Sequence, residues 1–81
     1  MILELYAIKD TKVAFNTPFA MHNEQEARRA FAAAIMDKST EWARFPADYE
    51  LWRIGLYDDK TGMIQPDQDY IMSGNDVRQE A

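Results

Sequence analysis

Residues 23–37 of this 81-residue chain read NEQEARRAFAAAIMD and contain its clearest structural signal. Asn23 is a good helix N-cap, and Glu26 follows three residues later, as a capping box requires. Apolar residues then recur at spacings of three and four, which places them on one helical stripe: Ala27, Ala30, Phe31, Ala34 and Ile35. The pattern predicts an amphipathic helix over about residues 24–37, and its alanines allow close packing against a sheet.

Extended structure is predicted on the N-terminal side of this helix. Residues 2–9 read ILELYAIK, an apolar and partly β-branched run that predicts a strand. Shorter extended pieces are expected at residues 13–15 and 19–21. Pro18 lies between them, and proline disfavours helix before it and suits a sheet edge.

A long strand and a hairpin are predicted after the helix. Residues 49–57 read YELWRIGLY, a strand-like run, and residues 58–62 have the composition of a turn in which Gly62 can adopt a positive φ angle. The returning strand is expected at residues 63–65, stopped by Pro66. A further short strand is expected at residues 70–72.

The connection at residues 39–48 contains Trp42 and Phe45, which we expect to pack back on the core because loops rarely carry such large apolar groups unburied.

This order of elements predicts an α+β fold, a small mostly antiparallel sheet of three to five strands with one amphipathic helix packed on one face. Residues 1–72 are expected to form a single compact domain, and residues 73–81 a polar, flexible tail. On the long strand, the face with Trp52, Ile54 and Leu56 is expected to meet the helix.

Composition argues against several classes of function. The chain has no cysteine, a formal charge of −5, and 9 basic against 14 acidic residues, so its overall charge opposes DNA binding. No apolar run approaches the roughly 20 residues that a membrane span needs, and the start does not resemble a signal peptide. We therefore expect an intracellular protein without membrane contact.

Catalysis and metal binding are not predicted. His22 is the only histidine, and the hydroxyl residues show no triad or nucleophile-elbow pattern. Asp58-Asp59 and Asp67-x-Asp69 do not have the spacing of an EF-hand loop. The three glycines are too scattered for a phosphate-binding loop. The sequence predicts no enzyme, no cofactor and no metal site.

A binding surface is predicted on the sheet face opposite the expected core. Tyrosines and an arginine spaced along a strand can stack single-stranded bases, and helix arginines can contact phosphates. The same residue types also mark protein interfaces, and the net charge favours a homodimer or partner interface over DNA. The candidate residues are Tyr6, Arg28, Arg29, Tyr49, Arg53 and Tyr57.

Several short motifs, in order, carry a family resemblance over about residues 3–62. They are Leu5-Tyr6-Ala7-Ile8-Lys9-Asp10 with Lys12, Pro18-Phe19 with Asn23, Ala27-x-Arg29-x-Phe31, Pro46-x-Asp48-Tyr49-x-Leu51, Ile54-Gly55-x-Tyr57-Asp58 and Thr61-Gly62. Together they resemble the small nonstructural protein of gokushovirus-type microviruses, which are single-stranded DNA phages.

The resemblance implies a phage accessory protein that is made in the cytoplasm of the infected bacterium and is not part of the virion. It implies a role in single-stranded DNA genome replication, by binding single-stranded DNA or a viral or host replication protein. It supplies no catalytic residues. The alternative from the residues themselves is a homodimeric interaction module that does not bind DNA.

Overall fold

The computed structural model describes residues 1–80, which form one antiparallel sheet with its helices on one side. The strand order is β2-β1-β3-β4, so the first and third strands lie at the centre. The elements are β1 (Ile2–Asp10), β2 (Phe19–Met21), α1 (Glu24–Met36), α2 (Glu41–Arg44), a 3-10 turn (Pro46–Asp48), β3 (Tyr49–Asp58), β4 (Ile64–Ser73) and α3 (Gly74–Glu80). The predicted α+β class and the antiparallel sheet are confirmed.

Helix α1 begins and ends close to where the sequence predicts. The side chain of Asn23 accepts a hydrogen bond from the backbone N–H of Glu26 at 2.9 Å, and Asp37 is the C-cap. Its buried stripe packs on the sheet, including Met72 of β4, and on Val77 of α3. The buried core consists of Tyr6, Ile8, Ala27, Phe31, Ile35, Tyr49, Leu51, Met72 and Val77.

The face of β3 that meets α1 is the opposite of the predicted one. Tyr49 and Leu51 are buried in the core, whereas Trp52 lies on the other side of the sheet. Both faces of this strand are rich in apolar residues, so alternation alone did not identify the side that the helix covers.

An extra residue in β3 also changes which side chains share a face. Tyr6 of β1 pairs with Arg53, but the preceding Leu5 pairs with Gly55, so Ile54 is the inserted residue of a β-bulge. Beyond the bulge the alternation is reversed. Tyr57 therefore lies on the same face as Trp52, contrary to the predicted pattern.

Strand β4 is continuous through Pro66, where the sequence predicted a stop and a second strand. It pairs only with β3 among the described elements, and an edge strand tolerates a residue without a backbone N–H. The pairing is also irregular near this residue, between the partners of Arg53 and Gly55. The hairpin turn before β4 is confirmed, with Gly62 at φ 75° and its N–H bonded to the carbonyl of Asp58 at 2.8 Å.

The connection after α1 contains two short helical segments. Trp42 packs against the core, as predicted, with its ring edge-on to that of Tyr49 at 6.2 Å. Phe45 is 56% exposed, so the prediction that it packs back is wrong.

Residues 74–80, predicted to belong to a flexible tail, form α3 and bury Val77 in the core. The sequence signal was weak because Val77 is the one large apolar residue of this segment. Residue 81 of the predicted tail lies outside the described residues.

Candidate nucleic-acid interface

The side of the sheet opposite α1 carries ordered rows of apolar and aromatic residues. Alternate residues of β1 share this side, and their cross-strand partners share it with them. We call this surface the open face. Its rows are Lys9 with Phe15, Ala7 with Trp52 and Tyr70, Leu5 with Gly55 and Pro66, and Leu3 with Tyr57 and Ile64.

Three rings of the open face form an aromatic cluster: Phe15, Trp52 and Tyr70. The centroids of Phe15 and Tyr70 lie 5.9 and 5.8 Å from that of Trp52, and both rings meet it nearly edge-on. Edge-to-face contacts at these distances are favourable. Phe15 and Tyr70 remain 39% and 47% exposed, so Trp52 supports two rings that solvent or a ligand can reach.

Lys9 places a positive charge within the cluster. Its Nζ lies 5.4 Å from the ring centroid of Phe15 and 5.3 Å from that of Trp52, which is cation–π distance. These contacts hold the ammonium group among the aromatic rings. A ligand that stacks on the exposed rings therefore meets this cation as well.

The strand residues of the open face carry few charges. Among the strand residues of this face, Lys9 and Glu50 are the charged ones. Glu50 accepts a hydrogen bond from Nε1 of Trp52 at 3.0 Å. On the opposite side, Asp67 and Asp69 lie 3.3 and 3.5 Å from the guanidinium of Arg53. The formal charge of −5 therefore does not describe the surface around the aromatic cluster.

Two of the predicted binding tyrosines are in the core, which contradicts their predicted exposure. Tyr6 and Tyr49 are almost completely buried in the core and cannot stack on bases. Burial raises the pKa of both phenols, and for Tyr6 the hydrogen bond from its hydroxyl to Glu4 at 2.5 Å raises the pKa further. These side chains stabilise the fold.

The predicted arginines do not join the open face either. Arg53 lies on the helix side, bonded to Asp67, with one buried nitrogen, Nε, that has no partner. Arg28 is paired with Glu24 at 2.8 Å on α1, and Arg29 is exposed on the same helix. Of the six predicted residues, Tyr57 is the one placed on the open face.

The sequence interpretation missed Lys9, Phe15, Trp52 and Tyr70 as site residues. One signal was available in the sequence. A single helix of about 13 residues covers one face of a sheet, so a sheet with two apolar faces must leave one of them open. Phe15 comes from a loop and Tyr70 from a distant strand, and sequence spacing gave no sign that both contact Trp52.

Other chemistry finds little support in the described part of the chain. No group of three or more histidine, cysteine, aspartate or glutamate side chains within it is arranged to hold a metal ion. His22 is exposed, with Nδ1 3.2 Å from a carboxylate oxygen of Glu26. Within residues 1–80, no helix combines the length and apolar character that a membrane span requires.

The fold and the open face define a small α+β protein that presents an aromatic sheet surface. The chain belongs to the Phage ORF5 protein family, whose model matches residues 3–77. It is thus a bacteriophage protein, and the match reaches past the hairpin into β4 and α3. No curated protein and no solved structure matches the chain.

Proposed function

We propose that this phage protein is a nonstructural accessory protein that binds single-stranded DNA through the open face and so assists replication of a single-stranded DNA genome. The observation that carries the proposal is the aromatic cluster with Lys9 among its rings. Aromatic rings stack bases with little dependence on sequence, and a lysine can contact a phosphate. The resemblance to gokushovirus-type proteins supplies the context of genome replication.

In this proposal the protein acts in the cytoplasm of the infected bacterium, outside the virion, and by binding alone. It has no catalytic step and needs no cofactor or metal. Phe15 and Tyr70 stack bases, Trp52 holds the two rings in place, and Lys9 contacts the phosphate backbone. The salt dependence of binding should be shallow because one cation, rather than a basic patch, faces the strand.

The test is fluorescence anisotropy with a labelled single-stranded oligonucleotide of mixed sequence at low and moderate salt. Phe15→Ala and Tyr70→Ala should each weaken binding about 5- to 150-fold, since stacking contributes about 1–3 kcal/mol per base. Lys9→Gln should reduce the salt slope by about one. The matched control is Phe45→Ala, which removes a more exposed ring outside the sheet.

Two outcomes would contradict DNA binding by this face. One is the absence of binding at low salt. The other is an equal loss of affinity in Phe45→Ala and in Tyr70→Ala, because that would show no special role for the open face. Circular dichroism of each variant checks that the fold is retained.

A homodimer formed through the same face is the second candidate. Ile64 is 61% exposed and Tyr70 47% exposed on this face, and such apolar groups are often covered by a partner chain. Light scattering separates the two proposals. A mass of twice the chain that falls to that of a monomer in Tyr70→Ala, without DNA binding, would favour the dimer.

A further inference from the structure

A second apolar site lies on the helix side of the sheet, at its β2 edge. A cavity of about 310 Å³ opens between β2, α1 and α2. Its lining is almost entirely apolar and includes Phe19 and Met21 of β2, Ala30 and Ala34 of α1, and Trp42 of α2. This volume is at the lower end of the range of about 300–1,000 Å³ for ligand pockets.

The cavity lies directly beside an open strand edge. Among the described residues, β2 pairs with β1 on one side and with no strand on the other, so one edge of its backbone is available. Phe19 and Met21 are half-buried beside the cavity, whereas Ala20 between them is exposed. An added strand would continue this alternation and direct every second side chain toward the cavity.

The helix wall of the cavity is made of small residues. Ala30 and Ala34 lie one turn apart on α1 and leave the space between the helix and the strand unfilled. The buried Phe31 closes its floor. The space therefore suits a large apolar side chain that enters from the open strand edge.

Three carboxylates flank residues that line the cavity, and the basic residues Arg29 and Lys38 lie beside two of them. Glu26 contacts His22 next to the end of β2, Asp37 caps α1 one turn after Ala34, and Glu41 precedes Trp42. Hydrogen bonds from His22 and Ser39 lower the pKa of Glu26 and Asp37, respectively, so both carboxylates are ionised at neutral pH. Basic residues in a bound segment would be attracted to them.

We infer that the edge of β2 and this cavity form a groove that binds an extended segment of a partner protein by strand addition. The segment's backbone hydrogen-bonds to β2, a large apolar side chain fills the cavity, and flanking lysine or arginine residues meet the acidic groups. This groove and the open face lie on opposite sides of the sheet. Its occupancy therefore does not require the aromatic cluster.

The test begins with selection of a randomised octapeptide library on the immobilised protein, with counter-selection on an Ala34→Phe variant that fills the cavity. Enriched peptides should carry apolar residues at alternate positions and at least one basic residue. A synthetic peptide of the enriched sequence should bind the Ala34→Phe variant at least tenfold more weakly. The control Ala33→Phe adds the same ring at an exposed neighbouring position and should bind normally.

A second measurement does not depend on any substitution. Amide hydrogen exchange at residues 19–21 of the unaltered protein should slow when the peptide binds, because strand addition protects backbone N–H groups. Tyr70→Ala should leave peptide binding unchanged, which separates this proposal from the DNA proposal.

Three results would overturn the inference. They are a selection without enrichment, unchanged exchange at residues 19–21, and a dimer of the chain that Ala34→Phe converts to monomers. The last result would show that a second copy fills the groove.

Discussion

Replacing Leu51 by alanine tests where along β3 the core lies. Leu51 is completely buried in the core, whereas Leu56, five residues later on the same strand, is half-buried and pairs with Glu4 and Gln65 near the hairpin. The two substitutions remove the same atoms from the same strand. The difference between their effects on the free energy of unfolding therefore reports burial and packing, because the side-chain chemistry is the same.

The expected magnitudes differ by more than twofold. Leu51→Ala should lower the free energy of unfolding by about 2–5 kcal/mol, because a fully buried leucine loses its transfer free energy and leaves a cavity. Leu56→Ala should cost about 1 kcal/mol or less, because part of its surface is already in water and the site can relax. A domain of this size has a total stability of roughly 4–12 kcal/mol.

Urea denaturation followed by tryptophan fluorescence measures both variants. With a slope of about 1 kcal/mol per molar urea, Leu51→Ala should lower the midpoint by about 2 M or more. A loss in Leu56→Ala that equals or exceeds the loss in Leu51→Ala would refute the assignment of the core to the part of β3 that holds Leu51. Such a result would place the most tightly packed part of this strand near the hairpin, because Leu51 and Leu56 lie on the same side of the sheet on either side of the bulge.

Two further predictions concern stability. Gly74→Ala should destabilise the protein by about 1–3 kcal/mol in the same urea assay, because an added Cβ would lie 2.1 Å from the carbonyl oxygen of Pro46. Unchanged stability would mean that the start of α3 does not pack this closely against Pro46. For Tyr6, burial raises the pKa in the folded state above the ordinary value near 10. The contribution of this phenol to the free energy of unfolding is therefore complete below pH 10 and is lost as the pH rises above it. Tyr6→Phe should therefore flatten the decline in stability between about pH 10 and pH 12, and an unchanged slope would contradict this origin.

Local chemistry was sufficient to predict most of the secondary structure. The cap formed by Asn23 and the apolar spacing of residues 27–35 predict α1, because both depend on neighbours within one or two turns. The turn that ends at Gly62 likewise depends on backbone conformations that glycine favours. These features involve residues close together in the chain.

The boundaries that the sequence predicted poorly depend on distant contacts. Pro66 does not interrupt β4 because the strand lies at the edge of the sheet, and edge position is a property of strand order. Helix α3 is short, and the burial of Val77 against the core anchors it. A seven-residue helix has little stability by itself, so its presence depends on packing.

The candidate surface lies on a different face of the sheet from the predicted one. An aromatic sheet face was expected, but two of its tyrosines lie in the core, and the aromatic cluster formed by Phe15, Trp52 and Tyr70 lies on the other face. An alternating strand has two faces, and its sequence does not state which one a helix will cover. The insertion of Ile54 then exchanges the faces within a single strand.

Local spacing and ordered motifs were enough to predict the α+β class, the amphipathic helix, the hairpin and the phage family resemblance. Other features became visible only in three dimensions: the covered face, the β-bulge, the edge positions of β2 and β4, and the contact of Lys9 with the aromatic cluster. These features arise from pairing and packing between residues that are far apart in the chain. Their free energies depend on the whole sheet and cannot be read from a local sequence pattern.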